Sequence, residues 1–456
     1  MTMTNTTLAA FAGSLMRPDD AGYDDARRLW NAAFDRRPAF IARCTSTADV
    51  ALAIRFGTAH GLEIAVRGGG HSLAGHSVVD GGLMVDLSPM RTIKVDREAR
   101  LAHVQPGCTL RELDIATEAH GLATPAGEIS HTGIAGLTLG GGVGWLSRMY
   151  GLACDNLLVA EVVTAAGEVV HTDDDPELLW GLRGGGGNFG VVTRFTYALH
   201  PIAPMAGGLV AVPIDRAGEI LRLYRDLVAE APDELSLTFI VVTAPPAPFV
   251  PAELHSQPIA GIAMCWVGDP ADGQPWVDRL RAARPAIDAL GVMPYTALQS
   301  MADDGVPPGR HSYTKTEWLS GLDDAAVEAV VTSASRRTSP SSQILLRHLR
   351  GTIARVPADA TAFSYRDATL MLTVPAVWTD PEEDRTPHVE WARELWSALC
   401  HLSAGGGYVN QLDTDDGTDR VRAAYLPDTW RRLVQLKRRY DPGNTFRRNA
   451  NVAPTG

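Results

Sequence analysis

Three glycines followed by a histidine, Gly68-Gly69-Gly70-His71, are the first residues of this chain whose types and spacing suit chemistry. They lie in VRGGGHSLAGHS, after a run from Glu63 to Arg67 that reads as a strand. A turn whose backbone amides no side chain obstructs can cradle a phosphate or pyrophosphate. His71 would then sit within reach of whatever those phosphates carry. Taken alone, a histidine in such a loop is by default a surface residue.

Two further glycine clusters follow, Thr132 to Leu157 (TGIAGLTLGGGVGWLSRMYGLACDNL) and GGGGNFG ending at Gly190. Gly185, Gly187 and Gly190 satisfy the spacing GxGxxG, but a dinucleotide turn needs a helix after it. Here the β-branched VVTRFTYAL follows, with no helical period, which excludes that reading. Each cluster alone serves a ligand or tight packing equally well. Three in one region point to a large cofactor.

The elements that must position these residues are legible in outline. Ser46 or Thr47 caps a helix through Ala59, and Thr109 with Glu112 forms a capping box for a helix that stops at Gly121. RTIKVDREARLAHVQPG and NLLVAEVVTAAGEVVHT each read as two strands joined by a tight turn. Beyond Pro201, LSLTFIVVTAP, IAGIAMCWVGD, QILLRHLRG and ATLMLTVPAVW read as strands. Ala325 to Arg337 and Val389 to Leu399 read as helices, and the Pro-rich TAPPAPFVPAELHSQP as a loop. A last helix runs from Asp428 to Tyr440 and stops at Asp441-Pro442.

VRGGGHSLAGHSVVDGGLMVDLSPM, the Thr132 to Leu157 segment and LWGLRGGGGNFGVVTRF resemble the FAD-linked oxidases of the berberine bridge enzyme type, within the vanillyl-alcohol oxidase superfamily. RVPADATAFSYR, Tyr408 to Asn410 and YDPGNTFRRNANV extend the resemblance along nearly the whole chain. The opening RPDDAGYD…RPAFIARC is similar to the bacterial branch that includes 6-hydroxynicotine oxidase.

The resemblance implies an α+β fold. A bipartite PCMH-type FAD-binding domain (residues 1–200 and 405–456) would clasp a substrate domain (residues 201–404), an antiparallel sheet covered by helices. It implies that His71 bonds covalently to the 8α-methyl of the flavin. Further FAD contacts fall on Arg67, Gly68, Gly69, Gly70, Ser72, Thr132, Gly133, Gly136, Gly140, Gly144, Gly190, Val192, Tyr408, Asn410 and Asn449. Some relatives add a cysteinyl bond from a PxGxC segment. This chain reads PAGEISHTG with Ile129 at that place, so a single bond is expected. Thr132 falls where relatives carry a residue that controls dioxygen access; its valine-like shape favours an oxidase.

A flavin oxidation of an alcohol needs a base for the hydroxyl proton, whereas a neutral amine can lose hydride without one. Many relatives supply the base as the tyrosine ending YxNY; here the motif ends in Gln411, which orients rather than deprotonates. His348 and Arg350, two apart in QILLRHLRG, would share a face of their strand. His348 suits a general base and Arg350 a binder of anionic or carbonyl groups, or the two form a solvated polar face. Tyr365 stands where relatives often have histidine, an alternative acid/base or donor. Asn410, Asn449 and Asn451 would close the flavin site or cap the C-terminal segment, and Trp180, Trp266 and Trp378 read as core or pocket wall.

The expected activity is an oxidase that moves hydride from an amine or alcohol carbon of a small molecule to FAD and on to O2, giving hydrogen peroxide. The alternatives are a dehydrogenase with another acceptor, or a flavin-binding protein without turnover. At 456 residues, 45% hydrophobic and 21% charged, the chain has the composition of a multidomain globular protein. A net charge of −12 without basic blocks disfavours nucleic acid and anionic membranes. Cys44, Cys108, Cys154, Cys265 and Cys400 are odd in number and widely spaced, arguing against disulfides or a structural zinc and for a reducing compartment. MTMTNTTLAAFAGSLMRPDD has no positive charge before its short apolar run, unlike a signal peptide. A cytoplasmic monomer or homodimer without bound metal is expected.

Overall fold

Side chains along the strands after Pro201 alternate between two environments, and that alternation organises the molecule. The computed structural model describes residues 10–455; residues 1–9, which open the segment read above against a signal peptide, lie outside the described residues. An eight-stranded sheet runs in the order Ile287–Asp288, Met205–Pro213, Pro258–Trp266, Leu235–Thr243, Ile344–His348, Leu370–Trp378, His311–Leu319, with Gly291–Met293 also on Met205–Pro213. Its pairings are antiparallel. Leu237, Phe239 and Val241, then Leu346, Leu372 and Val374, point to one face. There they meet Leu221 and Tyr224 of helix Ala217–Glu230, Leu280 of Pro270–Ala282, Val330 of Asp324–Ser335 and Leu395 of Thr386–Leu399. Burying each such side chain contributes about 1.5–3 kcal/mol, so this face is committed to the helices.

The N-terminal part holds two smaller sheets. Phe40–Arg43, Leu83–Asp86 and Ile64–Arg67 are parallel, with Ser14–Met16 antiparallel at the edge. Helix Thr47–Ala59 makes the crossover, its N-terminus capped by Ser46 Oγ, which accepts from the Asp49 N–H at 3.2 Å. The second sheet, in the order Ile93–Asp96, Leu101–Val104, Val191–Ala198, Leu157–Val163, Val169–His171, is antiparallel. Val191–Ala198 follows Gly190 directly, as a strand and not the helix a dinucleotide turn requires. The capping box of Thr109 and Glu112 starts helix Leu110–Glu118 as expected.

The C-terminal segment returns to this N-terminal part. Leu433 and Leu436 of helix Pro427–Tyr440 pack with Leu178, Trp180 and Phe189. At the end of that helix the buried Lys437 Nζ donates to Asp441 Oδ2 at 2.7 Å, to the Asn188 carbonyl at 2.9 Å and to the Phe446 carbonyl at 2.8 Å. One ammonium thus fastens the GGGGNFG turn to the chain's last segment.

Four of the longer elements lie outside the sequence reading. Strand Met205–Pro213 is rich in Gly and Ala, and a Cβ at Gly208 (φ +124°) would fall 2.1 Å from the Ala289 carbonyl oxygen, between the short strands Ile287–Asp288 and Gly291–Met293. Strand His311–Leu319 buries Lys315 and Glu317, charges that hide its strand character. Their partners come from afar in sequence: Asp415 and Asp416 for Lys315, Arg420 for Glu317. Helices Ala217–Glu230 and Pro270–Ala282 are the others. The Pro-rich loop also contains a short turn of 3-10 helix, Ala252–Leu254.

Asp114, on helix Leu110–Glu118, is 1% exposed, and neither carboxyl oxygen has a hydrogen-bond partner among the described residues. Burial, with Glu118 adding to it, pushes its pKa well above the carboxylate range. The folded chain therefore holds the proton more tightly than the unfolded one. This contribution to stability is full below the unfolded pKa and is lost as pH rises through the raised one. Asp114→Asn should unfold at a higher temperature than wild type at pH 8, and the two should converge toward pH 4. In urea titrations the gap should grow by up to about 1.4 kcal/mol per pH unit between the two pKa values; a gap independent of pH would contradict the assignment.

Candidate functional site

Between the other face of the large sheet and the glycine-rich N-terminal segments lies a cavity of about 1120 Å³. Its cradle starts where strand Ile64–Arg67 ends. A Cβ on Gly69 would fall 2.4 Å from the Gly133 nitrogen, and one on Gly133 2.4 Å from the Gly69 nitrogen. The two segments therefore touch backbone to backbone, and any side chain would part them. Gly68, Gly69, Gly70, Ser72, Thr132, Gly133, Gly190 and Val192 all line the cavity.

His71 lines it too, stacked on Trp30 with ring centroids 5.3 Å apart. Its Nε2 lies 2.8 Å from His131 Nδ1, and its Nδ1 3.5 Å from Thr132 Oγ1. Burial, with neighbouring His131, lowers its pKa to about 3. At neutral pH the ring is uncharged and keeps a nitrogen lone pair. His131 was not singled out from sequence; SHTG carries no pattern that marks it. His76 also lines the cavity, and burial lowers it to about 4.

Whether these residues fit a large cofactor is decided by two glycines. Gly136 and Gly187 line the cavity, and a Cβ at either would meet nothing within 4 Å. The protein's own packing does not require them to be small, so the space they leave suits an occupant. Orphaned polar atoms agree: Asn449 Oδ1 and Arg448 Nε, on residues lining the cavity, are buried without a partner among the described residues. Asn451 Oδ1 is likewise unpartnered, though Asn451 does not line the cavity. Asn449 Nδ2 donates to the Gly187 carbonyl at 3.2 Å, holding that segment in place. Tyr408 and Asn410 line the wall: Tyr408 Oη accepts from the Gly142 and Asn410 N–H groups, both at 2.8 Å, and Asn410 Nδ2 also donates to the Leu137 carbonyl. Burial pushes the Tyr408 phenol up to about 12.

The sequence matches the FAD binding domain family over residues 38–173 and the family described as berberine and berberine like over residues 407–453. It is 31% identical to (R)-6-hydroxynicotine oxidase of Paenarthrobacter nicotinovorans, over 99% of this chain and 97% of that protein. It is 30% identical to an FAD-linked oxidoreductase of Dictyostelium discoideum, again over 99% and 97%. The crystal structure of 6-hydroxy-D-nicotine oxidase from Arthrobacter nicotinovorans superposes with a TM-score of 0.88 at 29% identity, covering 99% of this chain and 100% of that one. The chain belongs to the berberine bridge enzyme-like family of FAD-linked oxidoreductases.

Of the FAD contacts that the resemblance implied for this oxidoreductase, three do not line the cavity. Arg67 turns away from the cavity and donates to the Ala26 carbonyl. Gly140 is small because a Cβ there would lie 2.1 Å from Asn410 Oδ1, and Gly144 because one would lie 2.2 Å from the Ala126 carbonyl oxygen. Both shape the wall without lining it. Ile129 lines the cavity, whereas Cys108 and Cys154 are buried away from it, with Cys108 pushed up to about 12 by burial.

The catalytic candidates need a larger correction. Strand Ile344–His348 ends at His348, so Arg350 is not on it; Arg350 is exposed at φ +68° and donates to Thr369 Oγ1. His348 shares the helix-covered face with Ile344 and Leu346, and its Nε2 lies 2.9 Å from Arg148 Nη1. Burial, then Arg148, lowers it to about 2, so it is neutral and occupied structurally. Tyr365 donates to the Ala423 carbonyl and does not reach the cavity. Trp180, Trp266 and Trp378 are core residues, not cavity wall.

The cavity face of the same strand carries Leu345 and Arg347, one residue out of phase. Arg347 Nε donates to Glu128 Oε2 at 2.5 Å and its Nη1 to Thr373 Oγ1 at 3.0 Å. Thr373 in turn donates to Gln411 Oε1 at 2.9 Å. Of the four catalytic candidates, Gln411 alone lines the cavity. The signal for Arg347 was weak, since Ile344, Leu345 and Leu346 are all apolar and blur the alternation.

Two expectations follow. His348→Ala should cost about 1–3 kcal/mol of stability by leaving buried Arg148 short of a partner, while turnover per bound FAD stays at the wild-type value; a collapse of turnover would return His348 to the site. Gly136→Leu should leave the circular dichroism spectrum unchanged yet lower the FAD absorbance per protein severalfold. Full FAD content in that variant would show that the space beside Gly136 is not the cofactor's.

Proposed function

We propose that this chain is an oxidase with FAD bonded once, through His71, that removes hydride from an amine carbon of a small molecule and passes the electrons to O2. The observation that carries the reading is His71 itself: neutral, wedged between Trp30 and His131, on the wall of the glycine cradle. A protonated imidazole could not form the C–N bond; this one is held unprotonated. Ile129 on the wall and Cys108 and Cys154 off it support a single link.

Bound FAD supplies a hydride acceptor that is re-oxidised by an external electron acceptor. The chain's own residues bind and orient. Residues 1–200 and 405–456 would hold the cofactor, with Gly68 to Gly70, Gly133, Gly136, Asn449 and Tyr408 against it. The sheet of residues 201–404 would hold the substrate. Gln411 is no base, His348 and Tyr365 do not reach the cavity, and Glu128 is tied to Arg347. A neutral amine, which loses hydride without prior deprotonation, suits this set better than an alcohol. The oxidised carbon leaves as an imine for hydrolysis, and O2 with two electrons and two protons becomes hydrogen peroxide. Thr132, compact and beside His71, supports access for O2.

Acid-precipitated wild-type protein should stay yellow, and His71→Ala protein should release its flavin on precipitation. Free flavin from the wild type would overturn the covalent reading. An amine and alcohol panel scored for peroxide should give turnover with amines; bleaching by substrate under argon that persists in air would make the protein a dehydrogenase instead.

A further inference from the structure

We propose that a second cavity, on the helix-covered side of the large sheet, binds a small organic monocarboxylate. It measures about 480 Å³ and shares no lining residue with the glycine-rich cavity. It lies where Arg148 meets the end of strand Ile344–His348 and the last turn of helix Ala217–Glu230. Arg148 is 2% exposed, and each of its hydrogen-bond partners is neutral. They are the Leu235, Ala231, Pro232 and Leu349 carbonyls and His348 Nε2. Burial lowers its pKa to about 10, as a charge taken out of water without a counter-ion requires. The carbonyls offset part of that charge, and no carboxylate among the described residues completes it. The remainder is felt in the low-dielectric space beside it.

Arg350 adds a second cation to the same wall. The strand stops at His348, and Arg350 takes φ +68°, a left-handed backbone that favours glycine or asparagine. Residues strained in this way cluster at ligand clamps and active sites. Its Nε donates to Thr369 Oγ1 at 3.2 Å. Its Nη1 and Nη2 make no hydrogen bond among the described residues and are not among the buried unpartnered atoms, so a two-pronged donor stands open. Thr369, which also lines the cavity, accepts from Arg350 and keeps its own hydroxyl proton to give.

The other polar groups of the wall are already engaged, and they limit what the anion can be. Arg225 is paired with Asp324 at 2.7 Å. Asp233, the one carboxylate lining the cavity among the described residues, is paired with Arg355. Tyr224 donates to the Leu346 carbonyl. His348 Nδ1 carries the ring proton, because Nε2 accepts from Arg148, and is buried behind the wall without a partner. The donors left for a ligand are the Arg350 fork and the Thr369 hydroxyl. That set matches the two oxygens of a carboxylate. A phosphate would leave oxygens unpaired and bring a second negative charge beside Asp233. Val228, Leu322 and Leu370 supply apolar surface for a short hydrocarbon body.

Holoenzyme titrated with benzoate, inorganic phosphate and benzyl alcohol, by calorimetry with flavin absorbance recorded alongside, tests the site. Benzoate should bind without changing the flavin spectrum, and at least tenfold more tightly than phosphate or benzyl alcohol. Arg350→Asn, exposed and suited to the left-handed backbone, should fold as wild type and weaken benzoate at least tenfold. Val228→Trp, which fills the cavity from its rim, should weaken it as much; should that variant fail to fold, Arg350→Asn still decides. Three results would each overturn the proposal: benzoate binding only with a change in the flavin spectrum, phosphate or benzyl alcohol binding as tightly as benzoate, or benzoate affinity that survives Arg350→Asn. None of them bears on the flavin link or on peroxide formation.

Discussion

Gly69 and Gly133 occupy each other's Cβ space, each nitrogen 2.4 Å from where the other's side chain would begin. Everything chemical in the molecule is referenced to that contact. Two residues beyond Gly69 stands His71, and just before Gly133 stand His131 and Thr132, so closing the two backbones brings the imidazoles within 2.8 Å. The cradle is then fixed to the segment 303–312, which leads into strand His311–Leu319, by bonds that cross between them. Asp303 accepts from the Ser130 N–H at 2.8 Å and from Arg111 Nη2 at 2.8 Å. Trp30, the ring under His71, donates through Nε1 to the Val306 carbonyl, and Asn31 donates to the Ser312 carbonyl at 2.9 Å. Two of these clamps act on Ser130, next to His131, and on Trp30, the stacking partner of His71. The position of His71 over the sheet is therefore determined from both sides.

The large sheet obeys a different constraint. Its strands carry apolar residues on both faces, yet only one face is covered by helices. Much of the other lines the cavity, and it carries a linked set of polar groups, Arg347 with Glu128 and Thr373, Thr373 with Gln411. On the covered face Arg148 is held by a network of its own, donating to the Leu235, Ala231 and Pro232 carbonyls besides meeting His348. A histidine and an arginine one residue apart on the same strand thus serve opposite sides of the sheet.

How much of this the sequence disclosed follows from the range of each interaction. Glycine clusters, a capping box and hairpins are local, and helix Thr47–Ala59, the hairpins and the turn before Val191 stand where their residues place them. The cavity-lining glycines and Gln411 were legible for the same reason. The face of Ile344–His348 was not, because three consecutive apolar residues leave two phases equally plausible until the helices are placed. Strand His311–Leu319 was hidden because the charges that permit burial of Lys315 and Glu317 arrive from residues 415–420. Glu128 was passed over because its partner lies 219 residues away.

The Glu128–Arg347 pair asks for a reason beyond stability. Two ions taken largely out of water regain in mutual attraction little more than the desolvation they cost, and well-packed apolar residues would do as well. This pair also joins the segment that carries Ile129, Ser130, His131 and Thr132 to the middle of the large sheet. The bond that brings the two halves of the site into register is thus made of the groups that face its contents.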